Sequence, residues 1–265
     1  MQYIFDGLGG ILNRIKSSRN VLLLFDYDGT LTPIVDKPEL ATLSEESRKA
    51  IKSLAAKKQF TIGIISGRAI GDIKSKVGID NIIYAGNHGL EIEGPGFAFI
   101  HPLTEEIKSN LKLINIVLNK TMGRIKGTIV EDKGMTLSVH YRMVEDTDEE
   151  AKVKNVFDRV IGIARKIGKV NTSRGKKVYE VRPPVNWHKG KAVELIMKDY
   201  EREKYKPLLI YMGDDLTDED AFQSVKEFDG ISMFVGEQTP DSRADYYLKS
   251  TNEVYDFINK LLILE

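Results

Sequence analysis

The sequence predicts an α/β chain in which a doubly wound parallel sheet is interrupted by an inserted α+β domain. Three observations carry that prediction. Short apolar runs alternate with amphipathic stretches from Val21 to about Ala85 and again from about Lys204 onward, the rhythm of right-handed strand–helix–strand crossovers. Between these stretches the order becomes helix, hairpin, helix, hairpin. Two acidic clusters, Phe25-Asp26-Tyr27-Asp28-Gly29-Thr30-Leu31-Thr32 and Gly213-Asp214-Asp215-Leu216-Thr217-Asp218-Glu219-Asp220, each follow an apolar run. They therefore fall at carboxyl ends of strands, where open α/β sheets bind ligands.

Taken in order, residues 1–20 are broken by Asp6, Gly7, Gly9, Gly10, Asn13 and Arg14, and read as an amphipathic lead-in helix rather than a signal peptide or a membrane span. Strands are expected over 21–26, 60–65 and 81–85, with helices over about 44–58, behind Ser44, and about 69–76. In the insert, helices over 104–122 and 147–167 alternate with two strand pairs. The first joins 127–131 to 135–141 around Lys133-Gly134, and the second joins 170–172 to 177–181 around Arg174-Gly175. A strand over 207–212, a helix over about 218–227, short strands over 230–234 and 245–248 and a closing helix over 252–263 complete the pattern. The organisation is thus a core from 1–102 and 184–265 with an insert from 103–183. The crossings fall at Ile100-His101-Pro102 and Arg182-Pro183-Pro184-Val185, where proline stops helix or strand continuation.

Composition narrows the function. In 265 residues, 42% hydrophobic content is enough for a real core, and 39 basic side chains cancel 39 acidic ones. No basic field for nucleic acid and no polybasic patch for a membrane surface is present, so an anionic ligand must be met by local groups. The absence of cysteine excludes disulfides, thiolate metal sites and a cysteine nucleophile, and the residue choice fits a cytoplasmic protein.

The two clusters imply a divalent cation, because crowded carboxylates repel unless neutralised and hard oxygen ligands suit Mg²⁺. Asp26 fits a nucleophile that forms an aspartyl-phosphate, and Asp28 the acid/base that protonates the leaving oxygen and later activates water. Gly29 lets the chain turn sharply, and Thr30 offers a hydroxyl and an N–H to phosphate oxygens. An Asx-rich turn is the plainer alternative for this segment. Asp214 is the candidate direct Mg²⁺ ligand opposite Asp26. Asp215 and Asp218 bind through water or hold the ligands, while a helix start explains the same acidic residues without a metal. Ser66-Gly67-Arg68 ends one strand and opens a helix, where Ser66 and Gly67 offer donors to an anion or an ordinary cap. Lys189, in Trp187-His188-Lys189-Gly190-Lys191, supplies fixed positive charge for a phosphoryl group, with Lys191 as its substitute.

In order, Asp-x-Asp-Gly-Thr, Ser-Gly-Arg, Lys-Gly-Lys and Gly-Asp-Asp-x-Thr-Asp-Glu-Asp resemble the four motifs of the haloacid dehalogenase (HAD) superfamily of phosphatases. The insert between the second and third resembles that superfamily's C2-type cap domain, so the resemblance implies an HAD-like core with a substrate-gripping cap. Finer phrases resemble the trehalose-6-phosphate phosphatases: Ala85-Gly86-Asn87-His88-Gly89-Leu90-Glu91, Glu131-Asp132-Lys133-Gly134, Val139-His140-Tyr141-Arg142, Tyr179-Glu180-Val181-Arg182-Pro183 and the segment from Tyr211 to Phe222.

That resemblance implies hydrolysis of trehalose 6-phosphate to trehalose and phosphate. Mg²⁺ would be held by Asp26, the carbonyl of Asp28 and Asp214. In the insert, Glu131, Lys133, Arg142, Lys176 and Glu180 match positions where the family holds sugar hydroxyls, while read as residues alone they would be cross-strand ion pairs on a solvated sheet face; Arg68, Asn87 and His88 are further candidate substrate contacts. The partner is then a small sugar phosphate, with no nucleic acid and no membrane, and a trehalose-phosphate synthase partner is left open. Competing readings are a phosphatase of sucrose 6-phosphate or mannosyl-3-phosphoglycerate, and, from another class, a phospho-acceptor signalling or regulatory module. Asp28 argues against the signalling module, which needs no acid/base two residues after its acceptor.

Overall fold

The computed structural model describes residues 1–202, 206–238 and 241–264; the expected onset of the second α/β stretch at Lys204 lies outside them. In chain order the elements are β1 (Gln2–Tyr3), α1 (Leu8–Ser17), β2 (Val21–Phe25), α2 (Glu45–Ala55), β3 (Phe60–Ile65), α3 (Ile70–Val77), β4 (Ile83–Gly86), β5 (Glu91–Gly94) and β6 (Phe97–Ile100). There follow α4 (Glu105–Met122), β7 (Ile129–Asp132), β8 (Leu137–His140), α5 (Thr147–Lys166), β9 (Asn171–Gly175) and β10 (Val178–Arg182). The last are α6 (Lys189–Arg202), β11 (Leu208–Gly213), α7 (Glu219–Glu227), β12 (Ile231–Val235), β13 (Tyr246–Leu248) and α8 (Thr251–Leu262). The chain divides into two units, Met1–Ile100 with Trp187–Glu265, and His101–Asn186.

In the first unit the described residues form a nine-stranded sheet in the order β1-β13-β12-β11-β2-β3-β4-β5-β6. From β1 to β4 the pairing is parallel, and the chain leaves the centre in both directions: β2 leads outward to β3 and β4, β11 outward to β12 and β13. The strand order therefore reverses between β2 and β11, the point at which such sheets open a ligand crevice. Both central strands are buried on both faces, and their two-residue period sorts side chains by layer. Leu23, Phe25, Ile210 and Met212 pack with residues of α1, α2, α3 and α8, whereas Leu22, Leu24, Leu209 and Tyr211 pack with α6 and α7.

Two features depart from the sequence expectation. The lead-in is not one helix: Gln2 and Tyr3 pair with Tyr246 and Tyr247 as a parallel edge strand, and the helix begins only at Leu8. Beyond β4 the sheet is antiparallel, because β5 and β6 fold back as a hairpin with Gly94 opposite Phe97.

The second unit is a four-stranded antiparallel sheet in the order β7-β8-β10-β9, again among the described residues. Alternation gives it two unlike faces. Leu137, Val139, Tyr179 and Val181 form one core with Leu111 and Leu118 of α4 and Val153, Phe157 and Ile161 of α5. Glu131, Ser138, Glu180 and Ser173 stand opposite one another in a single row across the strands, on the face without helices. Each helix starts at a side-chain cap: Thr104 accepts from the Ile107 N–H and Asp146 from the Asp148 N–H. No described helix of either unit is long and apolar enough to cross a membrane.

Candidate active site

The pairing of β2 with β11 brings the two acidic clusters together. Phe25 is in register with Met212, and the Asp26 N–H donates to the Met212 carbonyl at 2.8 Å, so Asp26 and Asp214 leave neighbouring strands at the same end. The turn after Asp26 is tight: the N–H groups of Leu31 and Thr32 return to the Tyr27 carbonyl, and Gly29 has φ +95°. A Cβ at position 29 would lie 2.1 Å from Asp214 Oδ2, so the Asp214 carboxylate rests against bare backbone. A Cβ at Gly213 would lie 2.2 Å from Asp218 Cγ. Both glycines are close-approach positions that let carboxylates from separate parts of the chain share one centre.

Lys189 opens α6 and is buried between two of those carboxylates, with Nζ 2.7 Å from Asp26 Oδ1 and 2.7 Å from Asp218 Oδ1. Asp218 also accepts from the Tyr211 hydroxyl at 2.6 Å and, on Oδ2, from the N–H groups of Asp214 at 3.0 Å and Asp215 at 3.1 Å. Its two oxygens thus take four protein hydrogen bonds, which fix the 214–215 backbone and the lysine. Asp215 Oδ1 accepts from the N–H and hydroxyl of Thr217, at 2.8 and 2.7 Å.

Burial works against the charge on Lys189, but Asp218 and Asp26 outweigh it and hold the ammonium well above its ordinary pKa. Burial pushes the Asp26 carboxyl up, Lys189 opposes the shift, and the carboxylates of Asp218, Asp214 and Asp215 add to it. Burial also opposes ionisation of Asp215, yet Lys189 and the hydrogen bonds from Thr217 hold it below the usual range. Carboxylate oxygens of Asp26, Asp214 and Asp218 all lie within 4.8 Å of one another. Four carboxylates against one ammonium leave an excess of negative charge in a buried place, the condition that a hard divalent cation relieves. The donor set fits Mg²⁺.

The neighbouring strands add the remaining groups of the first unit. Asp28 meets Arg68 in two parallel bonds, Nε to Oδ2 and Nη2 to Oδ1, each 2.7 Å. Ser66 follows β3 and is buried; its N–H donates to the Ala85 carbonyl and its Oγ accepts from the Arg68 N–H at 3.2 Å. Gly67 lies between them. Asn87 and His88, after β4, are buried in left-handed backbone at φ 50° and 57°. Their N–H groups donate to the carbonyls of Arg68 and Ser66, which ties this turn to the Ser-Gly-Arg loop. Asn87 Nδ2 donates to Glu91 Oε2 at 2.7 Å. Strain held by such ties at two non-glycine residues belongs at a site that needs a fixed shape. Thr30 Oγ1 is buried without a hydrogen-bond partner in the structure, as expected of a donor kept for a ligand.

In the second unit the structure brings together Glu131, Lys133 and Glu180 on the helix-free face. Lys133 Nζ is 3.4 Å from Glu180 Oε1, Ser173 Oγ donates to Glu180 Oε2 at 3.0 Å, and His140 Nε2 lies 2.7 Å from Glu131 Oε2. Ser138, between the two glutamates in the row, is buried with its hydroxyl unpartnered. Arg142 and Lys176 meet at the far end, where the Arg142 guanidinium donates to the Lys176 carbonyl.

Sequence reasoning missed Tyr211, Asp72 and the serines of the sheet row. A polar-tipped tyrosine inside the run Pro207 to Met212 was the available signal for Tyr211, and an acid one helical turn beyond Arg68 was the signal for Asp72. The serines give no signal before the register is known.

Comparisons with known proteins show the chain's family and fold. A family model described as Trehalose-phosphatase matches residues 24–252. The chain is 34% identical over 264 residues to trehalose-phosphate phosphatase B of Arabidopsis thaliana, covering 95% of this chain and 68% of that protein. The solved C-terminal domain of C. albicans trehalose-6-phosphate phosphatase is similar with a TM-score of 0.85 at 25% identity, over 96% of each chain. A haloacid dehalogenase-like hydrolase from Bacteroides thetaiotaomicron shares the fold, with a TM-score of 0.63 at 14% identity over 91% of this chain and 99% of that one.

Proposed function

The chain belongs to the trehalose-phosphatase family, and from that membership we infer that it is a phosphoric monoester hydrolase that releases phosphate from trehalose 6-phosphate. The observation that carries the reading is the centre at the ends of β2 and β11, where a buried carboxylate, Asp26, is held 2.7 Å from a buried lysine beside two further acids. A nucleophile so placed needs no further assembly to meet a phosphoryl group.

In the first half-reaction an oxygen of Asp26 bonds to phosphorus, the bond from phosphorus to the sugar 6-oxygen breaks, and Asp28 gives that oxygen its proton. In the second, water bonds to phosphorus as the bond to Asp26 breaks; the proton of the water passes to Asp28, which restores the starting state. Lys189 holds Asp26 in place and faces the charge of the phosphoryl oxygens, together with donors from Thr30, Ser66 and Gly67. Mg²⁺ would be held by Asp26, the Asp28 carbonyl and Asp214, with Asp215 and Asp218 supporting that set. Bound there, it would neutralise the crowded carboxylates and polarise the phosphoryl group.

Sugar recognition is assigned to residues 103–183 as a cap, through Glu131, Lys133, Arg142, Lys176 and Glu180, with Asn87 and His88 contributing from the core. Support comes from the alternation of acceptors and donors on one sheet face and from the unpartnered Ser138 hydroxyl among them, a pattern suited to a polyhydroxylated ligand. A cytoplasmic location is proposed with it, with which a sequence lacking cysteine is compatible.

Phosphate release from trehalose 6-phosphate, glucose 6-phosphate and sucrose 6-phosphate, each with and without Mg²⁺, tests the reading. It predicts Mg²⁺-dependent turnover with trehalose 6-phosphate preferred; equal rates on the three substrates would remove the specificity claim, and turnover unchanged by chelation would remove the metal.

A further inference from the structure

Arg68 ends a motif that suggests an anion site, yet the structure directs its donors to the chain itself. Nε and Nη2 grip Asp28 at 2.7 Å each, Nη1 donates to Asp72 Oδ2 at 2.7 Å, and Nη2 donates also to the Pro38 carbonyl at 2.9 Å. Four of the five N–H donors of a guanidinium are thereby used. The group lies over the ring of Tyr27, 5.5 Å from its centroid, and Tyr27 is fixed in turn by a bond from its hydroxyl to the Ala41 carbonyl at 3.1 Å. The backbone of Arg68 is anchored as well, its N–H on Ser66 Oγ and its carbonyl on the Asn87 N–H.

The two partners of the pair are unequal. The Arg68 side chain is 7% exposed and braced by helix α3, the 38–41 segment and the Tyr27 ring, whereas the Asp28 side chain is 38% exposed. A planar fork meeting a carboxylate through two parallel bonds sets both the position and the plane of the acid, which a lysine's single charge cannot do.

We propose that Arg68 is the positioning residue for Asp28: a buried fork, steadied by Asp72 and the Pro38 carbonyl, that fixes where the carboxylate stands when it takes the proton of the attacking water in the second half-reaction. The proposal rests on Asp28 being the acid/base.

The test is a double-mutant cycle on the full chain. Steady-state kinetics with trehalose 6-phosphate and with p-nitrophenyl phosphate are measured for Arg68→Lys and Asp72→Asn, each with Asp28 and with Asp28→Asn, after circular dichroism has shown folded protein. Arg68→Lys keeps the charge and loses the fork, so kcat falls about tenfold or more while KM moves less than about threefold; Asp72→Asn lowers kcat a few-fold in the same way. With Asp28→Asn already present, neither change costs more than about twofold further, because the group being positioned is gone. A raised KM with kcat kept, the mark of a substrate arginine, overturns the proposal, and so do equal losses in the two backgrounds, the mark of a structural role. Should Arg68→Lys fail to fold, the Asp72→Asn arm alone decides by the same criteria. Full turnover by Asp28→Asn itself overturns the acid/base reading, and this is seen before any Arg68 or Asp72 variant is compared.

Discussion

The centre at the end of the parallel sheet and the polar face of the four-stranded sheet are both built from carboxylates and cations, but they are built differently. Asp26, Lys189 and Asp218 expose 7%, 3% and 0% of their side chains and are joined by bonds of 2.7 Å, with glycines at 29 and 213 cleared for them. On the other face His140 and Glu131 expose 20% and 28%, and the closest approach of Lys133 to Glu180 is 3.4 Å. The first arrangement leaves little to rearrange and carries an unneutralised negative charge. The second is a set of pairs spread along one sheet face, His140 with Glu131 and Glu180 with Lys133 and Ser173, for which we propose exchange of partners with the hydroxyls of a sugar. Chemistry at phosphorus needs fixed charge, and recognition of a neutral sugar needs many exchangeable hydrogen bonds.

The sharpest way to break this comparison is to remove one charge from the fixed centre. Lys189→Ala leaves Asp26 and Asp218 buried without their cation. We expect turnover to fall about a thousandfold or more, and stability to fall by about 3–5 kcal/mol. Rapid kinetics and denaturant unfolding measure the two losses; a folded variant of ordinary stability would show that the buried charges are not what holds this region. Next in size, Gly29→Ala sets a methyl against the Asp214 carboxylate in left-handed backbone. It should weaken Mg²⁺ activation about tenfold or more, read as the Mg²⁺ concentration for half-maximal activity, and an unchanged value would separate Asp214 from the metal.

On the other face the same kind of change should act on recognition. Glu180→Gln alters an acceptor shared by Lys133 and Ser173, and a charged hydrogen bond of this kind contributes about 1.5–3 kcal/mol. The kcat/KM for trehalose 6-phosphate should therefore fall about tenfold to a hundredfold, and that for p-nitrophenyl phosphate far less. Equal losses on both substrates would place Glu180 in the chemistry instead.

The smallest expected effect concerns the fold that carries the centre. Burial raises the Tyr84 and Tyr255 phenols to about 12, above the value near 10 of an unfolded chain. A raised folded pKa means that their contribution is complete below pH 10 and is lost as pH climbs toward about 12, since the unfolded state ionises first. Thermal unfolding between those values should show a falling midpoint, and Tyr84→Phe should flatten the fall.

Much of this was legible in the sequence because crowded carboxylates after apolar runs have few physical explanations. Asp26, Asp28, Asp214, Asp218 and Lys189 could be proposed from spacing, with Lys191 as the alternative to Lys189, and the fold brings Asp26, Asp214, Asp218 and Lys189 together; the insert stood out by its change of rhythm. What escaped depends on pairing across distance. β1 is two residues that become a strand only because Tyr246 and Tyr247 lie beside them. Hairpin β5–β6 did carry a turn signal, Gly94-Pro95-Gly96 between Glu91-Ile92-Glu93 and Phe97-Ala98-Phe99, which sequence reasoning missed. Arg68 reads locally as an anion donor, and only the fold reveals that Asp28, forty residues away in sequence, takes its fork.

The central claim, covalent chemistry at Asp26 separated from proton transfer at Asp28, has one direct test. p-Nitrophenyl phosphate needs no proton on its leaving group, so the Asp28→Asn chain, supplied with Mg²⁺ and this substrate, should release about one p-nitrophenolate per chain in a burst and then turn over only at a slow residual rate. Acid quenching and peptide mass analysis should then find phosphate on Asp26. Release of p-nitrophenolate with Asp26 unmodified, or phosphate on another residue, would contradict the account.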